Sequence, residues 1–285
     1  MNTTRRRVVL TVLAGAMFCV ATASSEAQTA SNAANASGPY INKIRQRGKL
    51  IIGVKYDVPL YAFQNPRTGK LEGFEIDLAR EITREILGDP GKVEFRQVTS
   101  DTRIPMLQQG VVDMVIATMT ETRERMQQVD FSDMYYLAGQ TLLVRDNSPL
   151  TKPRDLHKGT IAIAKGGTSY EVAEKAFPGT KLLMFDGHAE CLEAVMDGRA
   201  DAFLEDDSIL HGMQKRAPGL RLLPGQLTFE PYAIGIAKAH PDLLAAVNTA
   251  IANIKANGKW QQLYKQNLGT DAVPPPAKPE PQWLQ

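Results

Sequence analysis

The sequence predicts an α/β protein of two similar lobes with mostly parallel sheets. Two patterns in a chain of 285 residues carry this reading. The first is alternation. Short runs rich in Val, Ile and Leu, bounded by Gly, Asp or Pro, recur at Leu50–Val54, Val93–Phe95, Met114–Ala117, Thr141–Val144, Thr160–Ala164, Leu182–Phe185, Ala202–Leu204 and Ala233–Ala237. They read as strands, and helical patterns fall between them. Over Glu75–Leu87, Ile76, Ala79, Ile82, Thr83 and Ile86 share one helical face; over Ala189–Asp197, Leu192, Val195 and Met196 do, with Gly198 as the stop. The second pattern is an echo. Gln109-Gly110-Val111-Val112-Asp113 leads into one strand and Asp197-Gly198-Arg199-Ala200-Asp201 into another. Two lobes of one design produce this, and they leave a cleft at the carboxyl ends of their strands.

The ends have a different composition. Arg5, Arg6 and Arg7 precede an apolar run, Val8–Ala23, and the small-x-small site Ser25-Glu26-Ala27, so residues 1–27 read as a cleaved signal peptide. Thr4–Leu10 also resembles a twin-arginine signal. The apolar run is shorter than the roughly 20 residues of a membrane-spanning helix. Residues 28–39 read as a flexible polar linker, and 271–285, opening with Val273-Pro274-Pro275-Pro276, as an extended proline-rich tail.

Cleavage changes the charge balance. The 33 basic residues less Arg5–Arg7, and the 31 acidic ones less Glu26, leave 30 of each. A neutral mature chain offers nothing for nucleic acid. Cys19 leaves with the signal, so Cys191 stands alone and no internal disulfide forms. The residues before Cys19 make a poor lipidation site, which predicts a soluble protein of a Gram-negative type of periplasm. No metal-ligand spacing, phosphate loop or Ser-His-Asp arrangement is present, so no cofactor, metal or catalytic set is expected.

Several segments in fixed order carry a family resemblance. They are Ile52–Pro59, Gly69–Ala79, Thr99–Pro105, Ala117–Arg125 and Val129–Asp133, followed by Gly166–Ser169, Gly198–Ala202, Asp206-Asp207 and Ile254–Gly258. Together they resemble family 3 of the bacterial solute-binding proteins, the polar amino-acid binders, with the glutamate/aspartate branch nearest. The resemblance implies the two-lobed type II periplasmic binding fold, closing on ligand about two hinge strands. It places lobe 1 at 40–134 and 235–270, and the hinge strands with lobe 2 at 135–234. The hinges themselves fall near Met134–Gly139 and Phe229–Ile234.

The resemblance also implies ligand contacts. Arg125 matches the arginine that clamps the α-carboxylate, for which a planar two-pronged donor is suited. Thr118, Thr120 and Thr168 match donors beside it; Thr168 also fits a plain helix N-cap, which is compatible with binding an anion. Asp206 matches the acceptor of the α-ammonium; it also fits an N-cap of the next helix, a role that Asp207 fits better. Lys55, Arg103 and His188, with Ser100, match the positions that meet an acidic side chain. The implied function is capture of L-glutamate or L-aspartate, with glutamine and asparagine as further ligands, for an ABC permease and its ATPase. The chain would act as a monomer and not as an enzyme. Two rival readings share the fold: a cyclohexadienyl dehydratase using Glu205 or Asp206 as general acid, and a sensory binder.

Overall fold

The computed structural model describes Met1 and residues 33–284. Apart from Met1, the predicted signal peptide, with Cys19, lies outside the described residues, as do positions 28–32 of the predicted linker.

The first lobe opens with α1 (Pro39–Arg47), which sequence reading missed. Proline in its first turn supplies a pre-set φ, and Gly48 ends it at φ 78°. Then come β1 (Leu50–Val54), a small ribbon of β2 (Asp57–Val58), β3 (Ala62–Gln64) and β4 (Leu71–Glu72), and α2 (Phe74–Leu87). β5 (Val93–Gln97), α3 (Arg103–Gln108), β6 (Met114–Val115) and β7 (Asp130–Phe131) complete this first pass. The chain crosses over through β8 (Tyr136–Ala138). The second lobe holds β9 (Gln140–Arg145), β10 (Thr160–Ala164), α4 (Ser169–Ala176), β11 (Lys181–Phe185), α5 (His188–Met196), β12 (Ala202–Asp206), α6 (Asp207–Gln214) and β13 (Leu220–Leu222). β14 (Glu230–Tyr232), antiparallel to β8, returns the chain to β15 (Gly235–Ile236), α7 (Pro241–Ala256) and α8 (Lys259–Leu268).

The two lobes share one topology. Their sheets run β5-β1-β6-β15-β7 and β11-β10-β12-β9-β13. In each, the first three strands are parallel and the last two join antiparallel. The sheets are therefore more mixed than expected. β9 and β15 are the strands by which the chain enters each lobe from a crossing strand. No helix precedes them to turn the chain round, so they run against their neighbours.

The sequence echo has a structural meaning. The Asp113 carboxylate accepts from the backbone N–H of Ile51 at 2.7 Å, and the Asp113 N–H donates to the Ile51 carbonyl at 2.8 Å. Asp201 does the same with Thr160, at 2.8 Å for both bonds. Each aspartate fixes the start of the strand that leads to its lobe's side of the cleft.

Packing follows the predicted faces in α2, where Ile76, Ala79, Ile82, Thr83 and Ile86 are all buried. Full burial of each isoleucine contributes about 1.5–3 kcal/mol, so Ile82→Asp would break this contact. In α5 the face is rotated. His188, Cys191, Ala194 and Val195 are buried, while Met196 is 52% exposed. At 3.6 residues per turn, 196 lies about 40° past the half-buried 192, further from the buried stripe. The linker also departs from its expectation where it is described. Ala33 is buried, and Arg45 donates to the carbonyls of Ala34 and Ala36, both at 2.7 Å, tying this stretch to α1. No described helix is long and apolar enough to cross a membrane.

Candidate functional site

The segments after β1, β5, β6, β10 and β11 and the end of β12 meet between the lobes. From the first lobe come Lys55, Arg103, Thr118, Thr120 and Arg125; from the second come Thr168, His188 and Asp206, all buried. The structure brings these predicted residues to one interface.

On the first lobe, Lys55 Nζ donates to Thr118 Oγ1 at 2.7 Å. Thr118 has φ 43°, a left-handed conformation that costs a β-branched residue about 1–3 kcal/mol. Its backbone N–H donates to Glu75 Oε1 at 2.7 Å, and Tyr135 donates to the same oxygen. Glu75 is the residue that sequence reading overlooked. It lies within Gly73-Phe74-Glu75, but nothing local links it to a partner 43 positions away. Burial pushes its carboxyl above the usual range, against these two hydrogen bonds.

Two guanidiniums converge on one carbonyl of the opposite lobe. Arg125 Nη2 donates to Gly166 O at 3.0 Å and Arg103 Nη2 reaches it at 3.5 Å. Their other prongs hold first-lobe carbonyls: Arg125 Nη1 to Thr120 O at 2.9 Å, Arg103 Nη1 to Ala117 O at 2.8 Å. Arg103 Nε is buried with no partner among the described residues. Gly166, at φ 72°, makes the approach feasible, because a Cβ there would sit 2.6 Å from the backbone of Asp101. Burial lowers the pKa of both arginines, and Arg103 is lowered further by the charge of Arg125.

On the second lobe, Thr168 and Asp206 occupy the N-cap positions of α4 and α6, yet neither side chain caps its helix. Asp207 does not cap either; it accepts from Gly139 N and Gln226 Nε2. The Asp206 carboxyl accepts from Tyr232 through Oδ2, and Oδ1 is buried with no partner among the described residues. Burial, with Glu230 and Glu205 nearby, raises its pKa well above the carboxylate range. The hydroxyls of Thr120 and Thr168 both donate to Glu230 Oε2, at 2.8 and 3.0 Å, so Glu230 stitches both lobes to β14.

The predicted bases Lys55 and His188 stand side by side, with carboxylates beside them. His188 Nδ1 lies 3.3 Å from Asp57 and Nε2 3.4 Å from Glu205. Lys55 Nζ is 3.4 Å from the same Nε2. Burial and Lys55 work to lower the His188 pKa, but the two carboxylates prevail and raise it. Burial works to raise the Asp57 pKa, yet His188 and Lys55 hold it well below the normal range. Burial and the charge of Arg103 bring Lys55 down to about 8. Asp57 also accepts from the His188 backbone N–H at 2.9 Å, so a first-lobe carboxylate meets the first turn of α5.

Two cavities flank this contact. One of about 430 Å³ is lined by Ser100, Ile104, Arg125, Gly167, Thr168 and Glu171, among others. One of about 140 Å³ is lined by Lys55, Asp57, Ser100 and His188, among others. Ser100 lines both, whereas Arg103 and Asp206 line neither and are sealed within the closed interface. Among the described residues no group of His, Cys, Asp and Glu is arranged to hold a metal ion.

Comparison with known proteins accords with this geometry. Residues 50–270 match the family model of bacterial extracellular solute-binding proteins, family 3. The chain is 45% identical over 230 residues to a glutamine-binding protein of Geobacillus stearothermophilus, covering 80% of this chain and 88% of that one. It is 33% identical to a glutamate-binding protein of Corynebacterium efficiens, covering 80% and 81%. Among solved structures it resembles an ancestral amino acid-binding protein described as a precursor of cyclohexadienyl dehydratase. That match has a TM-score of 0.74 and 36% identity, covering 80% of this chain and 99% of that one.

Proposed function

Because the chain belongs to family 3 of the bacterial extracellular solute-binding proteins, we propose that it captures the zwitterion of a polar amino acid between its lobes, L-glutamine ahead of L-glutamate. The observation that carries this is the opposition of Arg125 on one lobe and Asp206, with its unpartnered Oδ1, on the other. A ligand carboxylate, carrying full charge, competes for the guanidiniums that now hold the Gly166 carbonyl. A ligand ammonium beside Asp206 supplies the cation its raised carboxyl lacks, and ionises it. The Thr168 end of α4 adds backbone donors to the carboxylate side.

The preference for glutamine reverses the acidic expectation from sequence. An acidic side chain needs a surplus of positive charge. Here His188 lies between Asp57 and Glu205, and Lys55 shares the same group. The bases are largely neutralised, which suits an uncharged amide. The 45% identical relative carries glutamine in its name, and the glutamate-binding relative is more distant.

In this reading the chain is exported to the periplasm as a monomer. β8 and β14 flex as hinges, and the closed form docks on an ABC permease and its ATPase. A dehydratase reading draws on Asp206, whose raised pKa suits a proton donor. The two separate in one screen. Thermal shift against the common amino acids should show the largest rise with L-glutamine, and prephenate should not be turned over. Prephenate turnover, or stabilisation only by cationic or aliphatic amino acids, would overturn the proposal.

A further inference from the structure

The C-terminal segment lies beyond residues 50–270, the part matched by the family. It does not hang free. Lys255 of α7 donates to Pro275 O at 2.9 Å and to Met134 O at 2.6 Å. Met134 N donates to Ala277 O at 2.7 Å, and Lys278 pairs with Asp133 at 3.0 Å. Arg123 then donates to Pro281 O at 3.3 Å, and the Trp283 ring stacks on Phe229 with centroids 5.5 Å apart.

These contacts follow an order in space. Lys255, Asp133 and Arg123 belong to the first lobe, and Met134 stands just before β8. Phe229 is different. It follows residues 227–228, which are bonded to Gln140 of the second-lobe sheet, and it directly precedes β14. The segment is thus anchored on the first lobe and ends against the point where the second lobe joins its crossing strand. Prolines 274, 275, 276, 279 and 281 restrict the backbone, so little conformational freedom is lost in holding it there.

We propose that residues 273–284 form a strap across the two crossing strands, which favours the closed arrangement of the lobes through the Trp283–Phe229 contact. Opening turns the second lobe about β8 and β14. Phe229 then moves away from a tryptophan fixed to the first lobe, and the stack is lost. A stacked aromatic pair shifts an equilibrium by a factor of about 2 to 10, so the strap sets the closed fraction without touching ligand.

The test is an interlobe distance distribution from spin labels at Gln109→Cys and Glu174→Cys, exposed positions at the end of α3 in the first lobe and on α4 in the second. Cys191 is buried and does not compete. In the ligand-free chain, Trp283→Ala should lower the closed-to-open ratio about 2- to 10-fold, and Trp283→Phe should restore it. The affinity for L-glutamine should fall by up to the same factor, through faster dissociation. An unchanged ratio in Trp283→Ala overturns the strap. The affinity arm rests on the proposed ligand, but the distance arm does not. If glutamine fails to bind the parent, the ligand reading fails while the strap is still judged.

Discussion

On the proposed preference for glutamine, Glu205→Gln should turn the site towards glutamate. Glu205 is buried, and its Oε2 lies 3.4 Å from His188 Nε2. A ligand γ-carboxylate bonded to His188 Nε2 at about 2.8 Å would stand no more than about 6 Å from that oxygen. At an effective dielectric constant near 20, two like charges at this separation repel by roughly 3 kcal/mol, a factor on the order of 100. Glutamine keeps the shape of Glu205 and removes only the charge. The ratio of glutamine to glutamate affinity should therefore fall by about two orders of magnitude, mostly through tighter glutamate binding. Calorimetric titration of parent and variant with both ligands at pH 7 reads this directly. A ratio that moves less than about threefold in a folded variant would refute the reasoning that Glu205 is what neutralises the base cluster.

Four further outcomes follow from the geometry. Arg125→Ala should weaken every amino acid by about 2–5 kcal/mol, measured by calorimetry, because the α-carboxylate is common to all of them. Arg103→Ala should in addition lower the melting temperature of the ligand-free protein, since the buried Ala117 carbonyl loses its donor at a cost of about 1–3 kcal/mol. His188 has its pKa raised in the folded state by Asp57 and Glu205, against burial and Lys55. Its contribution to stability is full below the unfolded value of about 6.5 and is lost as pH rises through the folded one; urea melts of parent and His188→Ala should differ most at low pH and converge at high pH. Small-angle scattering should show a smaller radius of gyration with saturating L-glutamine, because the ligand joins Arg125 to Asp206 across the lobes; superimposable curves would count against closure.

Much of this architecture is legible in the sequence because it is local. The α2 stripe is a spacing pattern. The Asp113 and Asp201 echo is a short motif whose role, tying the adjacent strand, recurs in both lobes. Arg125, Thr168, His188 and Asp206 fall at the interface because each stands at a strand end or helix start, where such folds direct their side chains. What sequence leaves hidden is countercharge. Glu75 meets Thr118, and Glu230 meets Thr120 across 110 positions. Asp57 meets His188 across 131. No pattern along the chain announces such pairs, so the bases read as an excess of positive charge that the fold then cancels. The C-terminal segment is similar. Its prolines predict an extended path, but not that Lys255 and Phe229 receive it.

The most direct test of the account is a titration of residues 28–285 at pH 7 with L-glutamine. One site per chain is expected near micromolar affinity, about −8 kcal/mol, with L-glutamate weaker and binding lost in Asp206→Asn, which cannot ionise to meet the ammonium. Absence of saturable heat with either amino acid, or undiminished binding in Asp206→Asn, would contradict it.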